Sequence, residues 1–542
     1  MKINLIFFLS TALILTACKT GTDQAGKTVF RYNEPANITS LDPAFARDQS
    51  TIWAVNQIFN GLVQLNDSLR VLPCIAKSWM ISPDGLCYTF LLRANVHFHD
   101  DPCFAEGKGR SVVASDFIYS FNRVLNKKTA SPGGWIFSNL DTDTRSGAFY
   151  APNDSVLTIR LKKAFTPFLG LLTMQYCSVI PEEAVVFYGP DFRRHPVGTG
   201  PFCFKLWGEG VKLVLLKNKN YFEYEKGVRL PYLDAVSVTF VADKQSAFLE
   251  FIKGRLDFMS GIDPTYKDEL LSGQGKLKEE YSARIHLISQ PYLNTEYLGF
   301  LMDTLNPVLK DSPLKNKKIR QAINFAFDRL KMIRYLRNGI GTPGIHGIIP
   351  KGLPSFNPEK IFYSYDTQKA LRLLKEAGFD HGKGLPPITL TSTSDYLDIC
   401  KYIQAQLGNL GVELNIEVSP PAAVKEMKAQ SKLPFFRASW IADYPDGENY
   451  LSMFYSKNFC PQGPNYTHFS NRKFDELYEQ ALSSVSDSIR IGCYRGMEQI
   501  LMEESPIVIL YYDQVLRFVR NNIQGIGSNP MNLLSLKRVR KL

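Results

Sequence analysis

PITLTSTSDYLDICKYIQAQLGNLGVELNIEV, residues 387–418, is the stretch that decides the fold class. Residues 387–392 read as a strand and 395–410 as a helix. Residues 412–418 then alternate strictly, with Val412, Leu414, Ile416 and Val418 on one face. Strand, helix and strand in that order imply a parallel βαβ unit, because parallel neighbours need a crossover that a tight turn cannot supply. Upstream, Asp366 stands at an N-cap. Leu371, Leu374 and Ala377 follow on one helical face, and Gly378 takes the position just past the helix end. Further upstream, Ile319, Ala322, Ile323, Ala326, Phe327 and Leu330 form an amphipathic stripe whose opposite face carries Lys317, Arg320 and Arg329. An α/β lobe over about 294–512 follows from this alternation.

The first half reads differently. Residues 88–98 form a candidate strand after the turn Ser82-Pro83-Asp84-Gly85, and Ser115 is placed to cap a helix carrying Phe117, Ile118, Phe121, Val124 and Leu125 on one face. Residues 197–240 are strand-rich, with 212–216 and 235–241 as candidates, which predicts a second lobe. The chain has 542 residues, room for several domains at roughly 150 residues each. Its 45% hydrophobic and 21% charged composition is that of a globular protein with a sizeable core. The surplus of 63 Lys+Arg over 52 Asp+Glu is spread thinly, which argues against a nucleic-acid partner. The densest basic cluster, Lys537, Arg538, Arg540 and Lys541, is expected to be solvated or to make a surface contact.

The amino terminus speaks to compartment. Lys2, an apolar run over 3–15 and Leu15-Thr16-Ala17-Cys18 form a signal peptide ending in a lipobox, and the run is shorter than the roughly 20 residues a bilayer span needs. This pattern is similar to that of bacterial lipoproteins, which implies lipidation of Cys18, a flexible tether over 19–27, and an extracytoplasmic protein held at a membrane only by its lipid. Eight further cysteines lack any CxxC pair. Free buried thiols are the first expectation, with Cys87–Cys103 or Cys74–Cys87 as the local bridging alternatives.

Catalytic signatures are missing. There is no HExxH, GxSxG, Walker A run or GxGxxG opening a helix, and Pro201 after Gly198-Thr199-Gly200 denies a phosphate loop one amide. His97 and His99 share one face of a strand but lack a recognisable third ligand, so ordinary surface histidines are expected rather than a metal site. Glu182-Glu183 and Glu503-Glu504 are expected at helix termini, serving the macrodipole. The segment FFRASWIADYPD, 435–446, is unusual: a buried strand interrupted by Arg437, Trp440 and Asp443. Those charges either pair internally or face a cleft.

A set of ordered landmarks carries a resemblance: SLDP at 40–43, IFNGL at 58–62, AKSW at 76–79, VASDFIYS at 113–120, KTASP at 128–132, VGTGPF at 197–202, IRQA at 319–322 with Asp328-Arg329, and ADY at 442–444. The chain resembles the solute-binding proteins of peptide ABC transporters, bacterial extracellular solute-binding family 5, and most of all the oligopeptide-binding members. The resemblance implies an α/β, two-lobed periplasmic-binding-protein-like fold with a hinge of two crossing strands and an additional domain inserted in the first lobe. It places the first lobe at 28–68, 192–293 and from 513, the inserted domain at 69–191, and the second lobe at 294–512.

It also implies roles. Asp443 would hold the ligand's α-ammonium and Arg437 the carboxylate of short peptides, Trp440 would wall a side-chain pocket, and Tyr511 and Tyr512 would line the cleft. Two departures stand out. Ile441 replaces a cysteine, removing a bridge, and Arg47 stands where relatives carry an acidic ligand contact, which would shift preference towards acidic peptides. A receptor of this kind reads the backbone and termini that all peptides share. The expected protein is a monomeric receptor without enzymatic activity or cofactor, working with an ABC permease. The alternatives are receptors of the same fold for murein peptides, metal chelates, haem or oligosaccharides, an extracytoplasmic hydrolase, or an adhesion or signalling protein.

Overall fold

The structure, a computed structural model, describes residues 26–542 apart from 144–146, 262 and 264–265. The lipobox with Cys18 and the tether up to residue 25 lie outside the described residues.

Two unusually long strands organise the molecule. Ile285–Phe300 and Ile507–Arg520 pair antiparallel at the middle of an eleven-stranded mixed sheet. At roughly 3.3 Å per residue they run about 50 Å, long enough to belong to two bodies at once. On one side lie Phe435–Ile441, Ile388–Ser392 and Leu414–Val418, the last two parallel in the register Ile388↔Leu414 to Ser392↔Val418. The βαβ unit of the sequence therefore forms, its helix spanning Leu397–Gly408. On the other side Phe258–Ser260, Val29–Asn33, Ala235–Thr239, Lys212–Lys217 and Phe202–Gly208 follow in order. A separate antiparallel sheet, Ala76–Ile81, Cys87–Leu92, Val156–Arg160 and Phe149–Asn153, packs beside this second set.

Burial divides accordingly. Phe300, Ile319, Leu390, Ile403, Phe435 and Val508 belong to one apolar core, and Phe30, Trp53, Phe202 and Val236 to another. Tyr88, Phe90, Leu157 and Ile159 of the smaller sheet join the second of these cores. Where the long strands pass between the cores their register breaks: Pro291 faces Gln514 and the next pair is Thr295 with Tyr512. Leu293 donates its amide to Pro530 instead and accepts from Ala442. A ladder interrupted at this level is the natural place for two lobes to bend.

Several local expectations are corrected. The strand expected over 88–98 ends at Leu92, and Arg93 turns away with its guanidinium on the Cys74 carbonyl. The helix expected to start at Ser115 spans Ala114–Leu125, and its cap is supplied by Asp116, whose carboxylate accepts the Val113 amide. Arg320 and Arg329 are buried, not solvated. Arg320 donates to the carbonyls of Leu314, Lys315, Glu504 and Ser505, and Arg329 to those of Asn324 and Ile509. They tie the helices Lys317–Phe325 and Arg329–Leu336 to the start of the second long strand. Glu182 and Glu183 do occupy a first helical turn, but Glu503 and Glu504 end the helix Asp487–Glu504, at its negative pole, where Lys317 lies 3.0 Å from Glu504.

The basic tail makes the surface contacts expected of it, except that Lys537 is buried. Lys537 is buried against Glu223 at 2.6 Å, Lys541 meets Asp257 at 2.8 Å, Arg538 meets Glu225 at 2.9 Å, and Arg540 lies over the Tyr232 ring at 3.8 Å. His97 is exposed, but His99 is buried with Nε2 2.9 Å from the Gly200 carbonyl. Burial depresses its pKa to about 4, which keeps the ring neutral. Among the described residues no group of three or more His, Cys, Asp or Glu gathers in a metal-binding arrangement. All eight described cysteines are free thiols, five of them buried.

Candidate functional site

The strand Phe435–Ile441 lies against the first long strand in the register Asn294↔Ile441 to Phe300↔Phe435. Phe435, Phe436 and Ala438 are buried, which fixes the strand in the second lobe and sends the chain out of it at Ile441. Arg437 and Trp440 on the strand, and Asp443 just past its end, meet different fates.

Arg437 pairs with buried Glu296 and stacks over the Tyr396 ring, 3.3 Å from its centroid. Tyr396 donates to Glu296 at 3.2 Å, and Asn294 bridges Glu296 at 3.1 Å to Asp513 at 3.3 Å. Asp513 in turn pairs with Arg337 at 2.7 Å. Arg437 is therefore one member of an internal network. Trp440 is half-buried, donating its indole N–H to Asn449 Oδ1 at 2.8 Å.

Asp443 is different. Solvent reaches it, and among the described residues it has no ion pair. Burial by the surrounding protein nevertheless pushes its carboxyl above the usual range, partly offset by a hydrogen bond from Asn449. The next residue, Tyr444, leaves the second lobe altogether. Its ring joins the first lobe's core, 6.3 Å from the Trp135 ring, and Gly170 packs against it and Pro445. Its hydroxyl reaches back to Glu448, a buried carboxyl that also accepts from Tyr478 and that burial raises to about 7. A second contact between the halves is Thr166 Oγ1, donating to Ser484 O at 2.6 Å. Asp443 therefore lies exposed where the chain crosses from one body to the other.

Arg47 is exposed and likewise without an ion pair, directly after the turn Pro43–Phe45. That turn packs on the turn Gln175–Cys177, which holds Tyr176. Burial first, then the Asp443 charge, push the Tyr176 hydroxyl up to about 12, and Arg47 opposes them. One phenol thus lies within electrostatic reach of both charges.

Tyr511 and Tyr512 alternate across the second long strand and are both buried. The Tyr511 hydroxyl accepts from Arg337 at 2.7 Å beneath the same guanidinium. Tyr512 donates to Gly347 O at 2.6 Å and accepts from the His346 amide at 3.2 Å, so it is a core residue and not the cleft-lining one expected.

One acid escaped the sequence. Glu34 follows the strand Val29–Asn33, half-buried and without an ion pair, and burial with the Asp48 charge raises it to about 7 against a backbone hydrogen bond from Ala36. It opens on a cavity of about 480 Å³ lined by Trp53 and Ser260 from one lobe and Tyr292, Arg337 and Asp513 from the hinge and the other. The available signal was an acid immediately after the carboxyl end of a parallel strand, where open α/β sheets receive ligands.

Comparison with known proteins agrees with this architecture. The chain is 26% identical over 506 residues to the glutathione-binding protein GsiB of Escherichia coli O1:K1 / APEC, covering 91% of each. It is 26% identical over 504 residues to that of Salmonella typhimurium, again covering 91% of each. Among solved structures it superimposes on the unliganded open form of the periplasmic murein tripeptide binding protein MppA with a TM-score of 0.81 at 22% identity, covering 95% of this chain and 98% of that one. On HbpA2 of Haemophilus parasuis the TM-score is 0.82 at 22% identity, covering 95% and 100%. On the Helicobacter pylori binding protein DppA in complex with the peptide STSA it is 0.72 at 25% identity, covering 95% and 98%. The family model for bacterial extracellular solute-binding proteins, family 5, matches residues 70–459, and the chain belongs to that family.

Proposed function

We propose that this protein is an extracytoplasmic receptor, anchored by a lipid on Cys18, that captures short peptides between its lobes and presents them to an ABC permease. It does so as a monomer and without covalent chemistry. In this reading 28–68, 192–293 and 513–542 form the first lobe, 69–191 an accessory domain and 294–512 the second lobe. The name of the GsiB relatives, the STSA complex and the family support peptides as the ligand class.

The observation that carries the reading is Asp443, a carboxylate at the crevice with no cation of its own. A charge so placed gains a charge-assisted hydrogen bond only when a ligand brings an ammonium group. Trp440 beside it walls the pocket, and the Arg437–Glu296 network holds the strand that presents both. A ligand touching both lobes favours the closed arrangement through differential affinity, and bending at the break in the long strands supplies the motion. The test is calorimetry of the intact protein with a tripeptide mixture. Asp443→Asn should weaken binding at least tenfold, and unchanged affinity would overturn the assignment.

A further inference from the structure

The end of the strand Phe435–Ile441 remote from Asp443 holds a different cluster of polar groups. Ser431 precedes that strand, Asp443 follows it, and the strand alone puts roughly 20 Å between them. Beside Ser431, Cys460 Sγ lies 3.3 Å from His468 Nε2. Ser431 Oγ completes a triangle, 3.4 Å from the sulfur and 3.0 Å from the same nitrogen. Ser431 comes from the turn after the helix Pro421–Ala429, Cys460 and His468 from the loop before the helix Arg472–Ser483.

That loop is folded so that the pair must meet. Asn465, fully buried between them in sequence, donates to the carbonyls of Tyr455 at 3.1 Å and Phe469 at 2.9 Å and accepts the Phe469 amide at 3.2 Å. The Phe459 ring stacks on the His468 imidazole with centroids 4.6 Å apart. Ser431 and His468 both hold left-handed backbone, at φ +53° and +50°, which costs any residue that carries a side chain.

A thiol this close to an imidazole can pass its proton across, and the sulfur then accepts from the His468 Nε2–H and the Ser431 hydroxyl. Burial pushes the Cys460 thiol up, but those two hydrogen bonds and the imidazolium charge outweigh it and leave it below the ordinary thiol range. His468 is raised, first by its bond to Cys460, against burial, and further by the Cys460 and Asp303 charges. The Lys428 carbonyl, 3.5 Å from Sγ, pulls the other way by accepting from the protonated thiol. Tyr466 also faces the sulfur, with the Lys428 ammonium 5.1 Å from its ring centroid. Elsewhere in the chain, burial raises Cys74, Cys103, Cys177, Cys203, Cys400 and Cys493. The thiolate is the reactive form, so Cys460 stands apart from these. Cys460 is only 5% exposed, while Pro461 and Gln462 beside it are open to solvent. Such an approach suits a reactant little larger than water.

We propose that Cys460 is an oxidisable thiolate, held by His468 and Ser431, whose reactant is a small hydroperoxide. The sulfur attacks one peroxide oxygen and the O–O bond breaks, so that sulfur is oxidised by two electrons and the peroxide reduced. With hydrogen peroxide the departing hydroxide takes the His468 proton and leaves as water, and Cys460 becomes a sulfenic acid. Two equivalents of a small thiol return it to the starting state, releasing water and a disulfide. This chemistry does not depend on peptide capture.

The test treats the intact protein with hydrogen peroxide, traps sulfenic acid with dimedone and locates the label by mass spectrometry. Cys460 should be labelled at least tenfold faster than any of the other seven described thiols. Its rate should rise with pH to a plateau whose midpoint lies below the ordinary thiol value of about 8.5. His468→Gln should slow labelling at least tenfold at pH 7 and move that midpoint up by about one unit or more. Labelling no faster than at half-buried Cys87, a midpoint at or above the ordinary value, or an unchanged profile in a folded His468→Gln would each overturn the proposal. If the variant does not fold, the site selectivity and pH profile of the parent decide alone.

Discussion

Arg437, on the strand Phe435–Ile441, and Asp443, two residues past its end, make opposite use of charge. Arg437 is enclosed with Glu296, Tyr396 and Asn294, and its charge is spent on holding two strands of the second lobe together. Asp443 emerges past the last strand residue with no counter-ion and turns to the other lobe. The first arrangement resists change because removing either partner strands a buried charge; the second tolerates loss of the side chain better because no ion pair depends on it, only a hydrogen bond from Asn449. In a binding protein the unsatisfied group is the informative one, and charge alone does not identify it.

That contrast can be broken in order of expected effect. Glu296→Ala should destabilise the fold by about 3–5 kcal/mol in denaturant titration, since Arg437 would remain buried without its partner. The paired replacement Glu296→Leu with Arg437→Met should recover most of that loss, and a single variant as stable as the parent would show that the pair does not hold the lobe. Asp443→Asn should move stability by no more than about 0.5 kcal/mol, as expected for an exposed side chain without an ion pair. The same variant should lose about 2–5 kcal/mol of ligand affinity. Unfolding instead of lost binding would reverse the assignment of the two residues.

Tyr512→Phe sharpens the point from the core. Losing the hydroxyl that donates to Gly347 should cost about 0.5–1.5 kcal/mol of stability while ligand affinity stays within twofold. The smallest effect is on acid titration of binding. The Asp443 carboxyl is raised by burial when free, whereas a bound ammonium favours its charged form and lowers it. Affinity should therefore fall as pH drops through the raised free-state value, beginning at less acid pH than for an ordinary aspartate, and Asp443→Asn should remove that dependence. A decline that persists in the variant would point to another group, Glu34 first.

Much of the architecture was legible because it depends on periodicity. The alternation at 412–418, the Asp366 cap, which accepts the Lys369 amide at 2.8 Å, and Gly378 at φ +94° all report local geometry that neighbours in sequence determine. The misreadings share a cause. Arg320 and Arg329 looked solvated because amphipathic patterning treats every cation as a surface group, and it does not see carbonyls delivered from residues 180 or more positions away. Glu296 lies 141 residues before Arg437, so their pairing follows from strand order and not from spacing. Glu34 was hidden for the same reason: its meaning comes from the hinge strands that meet it across the sheet. Asp443 stood out in the sequence as a charge interrupting an apolar segment, but the ligand role expected of it came only through family likeness.

The free thiols described above carry a practical consequence. A protein whose lobes cohere through three apolar interiors, with eight reduced sulfurs and no crosslink among the described residues, does not require an oxidising environment to mature. The polypeptide should reach its native state in a reducing host cytosol, and dithiothreitol should leave its melting curve where it was.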